Sequence, residues 1–458
     1  MAELRGFTRF DDFVVRSSQE TRLPSVTAGL ISGGGLVHSV EYGLRDLVSK
    51  EPATVDTLYG VGSITKSFTA LSIAKLVDEG KLDFHDRVAD YLPLRQKAFE
   101  DVEVHHLLTH TSGVPGLGFA EAIIFRAIGL CAHPLPVLDA DDIGDFLDEV
   151  DGWAVSKPGE RMFYLNEGYY LLGRLISKVS GRPYESYVEA EILRPLGMTR
   201  SYFAREQIEA EGDVATPYIV RGDRSTTSVF PYGSDAAGGL VTSLSDLARY
   251  VAMLAGGGEV AGKRLVSKSS LERMQTSYAA WPSPMLPGEG YGYGLQIIPD
   301  LYGRRVVGHG GSVEVFTSSF LYVPGAGLGA AALANGAGYS MTQMALYGLT
   351  TLLGEDPEEL PMVRQERILK QLEGKYAAYK GIVRAEVKRN GSFLILSGDD
   401  IGDNIVLVPE RLEEDVAAFF TIAGTARMAV EFSYGREVTG LIYGRYSYRK
   451  TGPPGPAR

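Results

Sequence analysis

A serine and a lysine stand three residues apart in Gly62-Ser63-Ile64-Thr65-Lys66, at the start of an apolar run that predicts a helix. Residues three apart on a helix lie about 5–6 Å apart on one face, so this spacing brings an amine to a hydroxyl. A serine hydroxyl is a weak nucleophile until a neighbouring base removes its proton. Ser63 and Lys66 therefore predict the nucleophile and the base of an acyl-transfer reaction.

The same spacing recurs at Ser72/Lys75 and at Ser447/Lys450, so spacing alone is weak evidence. Ser72 is nine residues after Ser63, which at about 100° per residue places it on the opposite face of the same helix. Ser447 lies in a strand-like segment, where residues three apart point to opposite faces. Only the first pair is expected to cooperate.

Ser63 is expected at a helix N-terminus, because Gly60 and Gly62 precede it and the candidate helix continues to Gly80, a residue type that suits a C-terminal cap. The helix dipole favours negative charge at that end. Together with burial it disfavours the ammonium form of Lys66. A partly neutral Lys66 can act as a general base.

Two motifs that occur once each fit this chemistry, Tyr164-Leu165-Asn166 and His309-Gly310-Gly311. Three accompanying segments are Leu107-Leu108-Thr109-His110-Thr111-Ser112-Gly113, Pro195-Leu196-Gly197-Met198 and Gly238-Gly239-Leu240. In this order the set resembles the penicillin-binding-protein-like serine hydrolases, which include class C β-lactamases, D-aminopeptidases and related esterases. The resemblance spans most of residues 10–340.

The resemblance implies a role for each matching residue. Ser63 becomes the acylated nucleophile, Lys66 its basic partner and Tyr164 the phenol that carries a proton between nucleophile and leaving group. Asn166 positions the substrate amide. The backbone N–H groups of Ser63 and of Ser312, on an edge strand, form the oxyanion hole.

His309 departs from the Lys-Thr-Gly of the best-known members, so a fixed positive charge is lost. Histidine is mostly neutral at pH 7, which argues against β-lactams and carboxylate-terminated peptides as substrates. The pattern is similar to that of D-aminopeptidases. It implies that Gly310 and Gly311 bind substrate and that His309 assists proton transfer or orients Tyr164, while a purely structural histidine stays open as the alternative.

These residues predict an enzyme, a serine peptidase or amidase that hydrolyses small peptides or amides through an acyl-enzyme, with D-residue selectivity among the implied specificities. A carboxylesterase of the same family is the first alternative. The second is a non-catalytic homologue that binds a ligand or a partner through its cleft or through a C-terminal barrel.

The composition argues against nucleic acid and anionic membranes as partners. The 458 residues carry a net charge of −12 without a Lys/Arg-rich block, so nucleic acid and anionic membranes are not expected to bind. The N-terminal residues lack an apolar signal region, which predicts a cytoplasmic protein, and a single cysteine, Cys131, excludes an intramolecular disulfide. His106 and His110 are four apart, but Leu107 stands where a zincin needs glutamate, so no metal or cofactor is expected.

The predicted elements give an α+β layout. Residues 27–32 and 36–42 read as one hairpin and residues 316–323 and 328–333 as another, and their pairing would build one sheet from distant segments. Helical patterns lie between them, at residues 168–181 and 244–254. The resemblance implies a β-lactamase-like antiparallel sheet flanked by helices, with a helical subdomain.

The chain is expected to divide into a hydrolase domain (1–354), a linker helix (355–372) and a small all-β domain (373–458), because an acidic, proline-bearing break follows Gly354. Short strands with regular turn signals then predict an antiparallel barrel, which resembles a lipocalin-like domain. The resemblance further implies a homo-oligomer, with a compartment-forming octamer as one form.

Overall fold

The computed structural model describes residues 2–130, 139–222, 224–399, 401–413, 416–423, 425–433 and 438–455, so Cys131 lies outside the described residues. The chain divides into two units between Glu355 and Asp356.

The first unit is built on a nine-stranded antiparallel sheet. In order across the sheet, its strands are Ala279–Ala280, Gly290–Tyr291, Gln296–Leu301, Arg304–Ser312, Thr317–Val323, Leu328–Ala334, Ser25–Ser32, Gly35–Asp46 and Glu51–Pro52. The pairing of Ser25–Ser32 with Leu328–Ala334 joins the early and late segments of this unit, as predicted. Both predicted hairpins are therefore confirmed, and they form the middle of a single sheet.

Helices cover both faces of this sheet. Gly29 and Gly329 face the helix Leu244–Ala255, whereas their neighbours Leu30 and Ala330 face the helix Met341–Leu353. Because successive side chains of a strand point to opposite faces, these two helices lie on opposite sides. The α+β class and the flanked antiparallel sheet are confirmed.

The remaining helices and short strands of the first unit complete the layout. Its other α-helices are Ala2–Thr21, Thr65–Asp78, Val104–Leu108, Phe119–Ala127, Ile143–Phe146, Asn166–Ser180, Tyr184–Val188, Arg205–Ala210, Asp235–Gly238 and Lys268–Met274. Its minor strands are Tyr59–Gly60, Ser201–Tyr202, Val241–Thr242, Tyr218–Arg221, Arg224–Thr227, Glu259–Val260 and Lys263–Arg264.

The helix Ala2–Thr21 was not among the predicted elements. Phe10, Phe13 and Val14 are buried along one face of it, at spacings of three and four residues. This amphipathic period is present in the sequence, although the charged residues between obscure it.

The second unit is a closed antiparallel barrel that follows the helix Pro361–Leu372. Its eight strands are Gly374–Ala377, Arg384–Asn390, Phe393–Gly398, Gly402–Leu412, Val416–Ala423, Ala426–Ser433, Gly440–Tyr443 and Tyr446–Gly452. Inward side chains such as Leu394, Phe419 and Leu441 are buried together with Leu372 of the helix. The predicted small antiparallel barrel is confirmed.

Candidate active site

The first element of the site is the turn that carries Ser63. A single 3-10 turn, Gly62–Ile64, leads directly into the α-helix Thr65–Asp78, so Ser63 lies at the N-terminal end of the combined helix. Lys66 Nζ lies 3.0 Å from Ser63 Oγ, to which it donates a hydrogen bond. The sequence spacing therefore brings this amine and this hydroxyl into contact.

Lys66 is held in an environment that disfavours its charge. Its side chain has no exposed surface, and Nζ also donates to the carbonyl oxygen of Ala237 at 2.6 Å. Burial lowers the pKa of Lys66 to about 7, although the carboxylates of Glu121 and Glu167 oppose the shift. A large fraction of Lys66 is consequently neutral at pH 7 and able to accept a proton.

Tyr164 faces the same two residues. Its ring centroid lies 5.0 Å from Lys66 Nζ. Burial raises the pKa of the Tyr164 phenol, a hydrogen bond with the Ser63 hydroxyl opposes this rise, and the charge of Glu121 reinforces it. Tyr164 thus carries a protonated phenol beside the serine oxygen.

The strand Arg304–Ser312 supplies the opposite wall. It is not an edge strand of the sheet, which corrects the expectation for Ser312. Its pairing with Gln296–Leu301 ends at Gly308, whereas its pairing with Thr317–Val323 continues to Ser312. Among the described strands, residues 309–312 thus have a partner on one side only, which makes them a local edge.

Glycines allow this local edge to approach the serine turn. A Cβ atom on Gly311 would lie 1.9 Å from the carbonyl oxygen of Val61, and one on Gly62 would lie 2.8 Å from the backbone nitrogen of Ser312. Ser318 Oγ also donates to the Val61 oxygen at 2.8 Å. These contacts join segments about 250 residues apart in the chain, and bulkier residues would separate them.

His309 is buried and both of its ring nitrogens are engaged. Nδ1 contacts the carbonyl oxygen of Gly310, and Nε2 lies 2.8 Å from the hydroxyl of Tyr291. A carbonyl can only accept, so Nδ1 carries the proton and Nε2 of the neutral ring accepts from Tyr291. Burial lowers the pKa of His309 to about 3, the Lys66 charge adds to this effect, and the hydrogen bond to Gly310 opposes it. His309 is therefore neutral at physiological pH.

A cleft of about 700 Å³ contains most of the predicted site. Seven of the eight predicted residues line it, namely Ser63, Tyr164, Asn166, His309, Gly310, Gly311 and Ser312. The eighth, Lys66, lies directly behind Ser63. Asn166 Nδ2 donates to Glu121 Oε1 at 3.3 Å, which orients the amide within the cleft.

Several residues that line the cleft were not among the predicted site residues. Glu121 and Glu314 give the cleft lining two exposed carboxylates, and none of the lining residues in the described part of the chain is Lys or Arg. Trp281 adds an aromatic wall, with its ring centroid 6.0 Å from that of Tyr164. Glu121 interrupts an apolar stretch in the sequence, and this break was the one signal that could have identified it.

No group of three or more His, Cys, Asp or Glu side chains in the described residues is arranged to hold a metal ion. No helix in the same part of the chain is both long and apolar enough to cross a bilayer.

Two family models match the chain. A model described as Beta-lactamase matches residues 10–351. A second, described as Pab87 octamerisation domain, matches residues 357–449.

Solved structures and a curated relative are similar to the chain over long stretches. The octameric penicillin-binding protein homologue from Pyrococcus abyssi is 43% identical and has a TM-score of 0.91, with 97% of this chain and 99% of that one covered. A D-stereospecific amidohydrolase from Streptomyces sp. is 25% identical, with a TM-score of 0.63 and coverage of 74% and 98%. Protein Rv1367c of Mycobacterium tuberculosis is 29% identical over 326 residues, which are 62% of this chain and 79% of that protein.

Proposed function

The chain belongs to the beta-lactamase family of serine hydrolases, and from this premise we propose that it is a serine peptidase or amidase that acts on small peptides and amides through an acyl-enzyme on Ser63. The observation that carries this proposal is the 3.0 Å contact between Lys66 Nζ and Ser63 Oγ, made by a buried lysine whose pKa is lowered to about 7. The contact unites a nucleophile with a base that is active at neutral pH.

In the proposed acylation, Ser63 Oγ attacks the carbonyl carbon of the substrate while neutral Lys66 accepts the hydroxyl proton. The tetrahedral oxyanion would be bound by the backbone N–H groups of Ser63 and Ser312. The phenol of Tyr164 would then protonate the leaving amine and recover its proton from Lys66. Water attacks the resulting ester, with the same groups acting in reverse.

Substrate selection is proposed to follow from the charges of the cleft. Glu121 and Glu314 favour a substrate ammonium over a carboxylate, and His309 supplies no positive charge. The likeness to a D-stereospecific amidohydrolase supports amides as substrates and makes D-residues the first stereoisomers to test.

The nucleophile is tested by intact-protein mass spectrometry after exposure to a fluorophosphonate probe. We expect one adduct on the wild-type protein and none on Ser63→Ala. Ser72→Ala is the matched control, because Ser72 has the same spacing to a lysine but its hydroxyl donates to the carbonyl oxygen of Phe68 at 2.9 Å within the helix. An adduct that survives in Ser63→Ala would contradict the assignment.

The reaction class is tested with a p-nitroanilide and a p-nitrophenyl ester of the same acyl group, each in L and D forms. Release of p-nitroaniline supports a peptidase or amidase. Hydrolysis of the ester alone would instead favour the carboxylesterase, since a phenolate leaves without protonation by Tyr164.

We also propose that the chain assembles as a homo-octamer through its barrel unit. The match of residues 357–449 to an octamerisation domain and the 43% identity to an octameric structure support this assembly. Eight chains of 49.6 kDa give about 397 kDa, which light scattering after size-exclusion chromatography measures directly. A monomer mass at micromolar concentration would contradict the proposal.

A further inference from the structure

His110 is a buried polar side chain beside the cleft that the proposed chemistry leaves without a role. Only 1% of its surface is exposed, and it is absent from the cleft lining. Its ring lies against that of Tyr164, with centroids 4.2 Å apart and planes inclined by 35°. The His110 ring therefore contacts Tyr164, the proposed proton carrier, without lining the cleft itself.

Two hydrogen bonds connect His110 to the backbone on both sides of Tyr164. The carbonyl oxygen of His110 accepts the N–H of Phe163 at 2.8 Å. Its ring Nδ1 accepts the N–H of Leu165 at 3.0 Å. One residue thus contacts the Met162–Phe163 and the Tyr164–Leu165 peptide groups.

The backbone of His110 adopts the conformation that this arrangement needs. Its φ of +59° lies in the left-handed region, which non-glycine residues rarely occupy. The following residue, Thr111, is also held in place, because its carbonyl oxygen accepts the N–H of Gly159 at 2.7 Å. The left-handed backbone angle and the ring contact with Tyr164 thus occur in the same residue.

The protonation state of His110 keeps its Nδ1 available as an acceptor. Burial, reinforced by the nearby charge of Lys66, holds the pKa of His110 well below its usual range. The neutral ring therefore carries its proton on Nε2. The contact between Nδ1 and the Leu165 N–H persists at physiological pH.

We propose that His110 is a positioning residue for catalysis, whose ring nitrogen and carbonyl oxygen hold the backbone around Tyr164 so that the phenol stays at the Ser63 hydroxyl. The inference rests on the proposed function, because it gives His110 a task only if Tyr164 transfers protons. A displacement of about 1 Å in such a group can lower a reaction rate about 10²-fold.

Two substitutions separate the acceptor from the ring. His110→Asn places Oδ1 on the same Cγ position as Nδ1, and asparagine tolerates the left-handed conformation. His110→Phe keeps a ring against Tyr164 but has no acceptor. For each variant we would measure kcat and KM for release of p-nitroaniline from the p-nitroanilide substrate, because the amine needs the Tyr164 proton to leave whereas the fluoride of the probe does not.

We expect His110→Phe to lower kcat about 10²-fold and leave KM unchanged, because His110 does not line the cleft. His110→Asn should retain most of the wild-type kcat. This rescue, together with the split between kcat and KM, is not expected from a residue that only stabilises the fold.

His106→Phe is the matched control. His106 Nδ1 accepts the backbone N–H of Glu103 at 3.0 Å, which is the same kind of contact, but it caps the short helix Val104–Leu108. This variant should keep the wild-type kcat. Thermal unfolding of every variant gives the folded fraction, and His110→Gly replaces the phenylalanine variant if that one does not fold.

Three results would overturn the inference: a folded acceptor-free variant with wild-type kcat, an asparagine variant as slow as the phenylalanine variant, or a change confined to KM. Failure of the proposed function is recognised separately, because the wild-type adduct would then persist in Ser63→Ala.

Discussion

The pH dependence of Ser63 labelling tests the electrostatics of the site. Neutral Lys66 must accept the proton, so the rate of labelling by the fluorophosphonate probe should rise with pH and then level off. Burial lowers the Lys66 pKa from 10.5 to about 7, and this value sets the midpoint. The neutral fraction of Lys66 then increases about tenfold between pH 6 and pH 8 and changes little above that.

A lysine with an ordinary pKa gives a different curve. Its neutral fraction would increase about a hundredfold over the same interval and would show no plateau below about pH 9. The labelling rate is measured from pH 5.5 to pH 9.5 by the loss of free probe or by mass spectrometry. The shape of this pH–rate profile distinguishes a lysine with a lowered pKa from one with an ordinary pKa.

Two glutamates of the cleft form a matched pair for this assay. The carboxylate of Glu121 raises the Lys66 pKa, so Glu121→Gln should move the midpoint to lower pH. Glu314 lines the same cleft but is not among the charges that shift Lys66, so Glu314→Gln should leave the midpoint in place.

Asp235 is the remaining group to control, because burial, reinforced by the charge of Glu185, raises its pKa to about 7 as well. Asp235→Asn should leave the midpoint unchanged if Lys66 titrates. The reasoning is refuted by a rate that rises without a plateau to pH 9, by loss of the midpoint in Asp235→Asn, or by equal shifts in the two glutamate variants.

Three further predictions concern stability, backbone contact and substrate charge. Between pH 7 and 10.5 the unfolded chain binds a proton at Lys66 that the folded chain does not. The free energy of unfolding of the wild type, relative to that of Lys66→Met, should therefore rise with pH by up to about 1.4 kcal/mol per pH unit. Urea unfolding of both proteins at pH 7 and pH 9 measures this difference, and an equal change with pH in both would contradict it. Gly311→Ala should abolish probe labelling because its Cβ would collide with a carbonyl oxygen at 1.9 Å, whereas Gly310→Ala, whose nearest neighbour is a side-chain oxygen at 3.2 Å, should remain active. Alanine p-nitroanilide with a free amine should be hydrolysed several-fold faster than its N-acetyl form. The double variant Glu121→Gln/Glu314→Gln should remove this preference, since each exposed charge contributes about 0.2–1 kcal/mol.

The sequence was most informative where function depends on local spacing. Ser63 and Lys66 meet because three residues make nearly one helical turn, and the structure needs no distant contact to bring them together. The helix Leu244–Ala255 was predicted over residues 244–254 in the same way, from its periodicity, and Ser243 caps it because its hydroxyl accepts the N–H of Asp246. The alternating strands of the barrel were likewise visible as short apolar runs between turns.

The sequence was less informative where a residue depends on distant neighbours. His110 belongs to the Leu107–Gly113 motif, yet its proposed role could not be predicted, because its partners Phe163 and Leu165 lie more than fifty residues further along the chain. The description of the Ser312 strand as an edge was wrong for the same reason, since strand order is set by long-range pairing. Only its last four residues form an edge.

The sequence by itself determined which residues could react and which neighbours on one helix would face each other, since both follow from residue type and backbone period. The tertiary structure alone decided how completely Lys66 is enclosed, that Glu121 and Glu167 act on its charge, and that Tyr291 and Gly310 engage both ring nitrogens of His309. The physical reason is that a pKa depends on the exclusion of water and on charges brought from separate elements, and both arise only when the chain closes around the site.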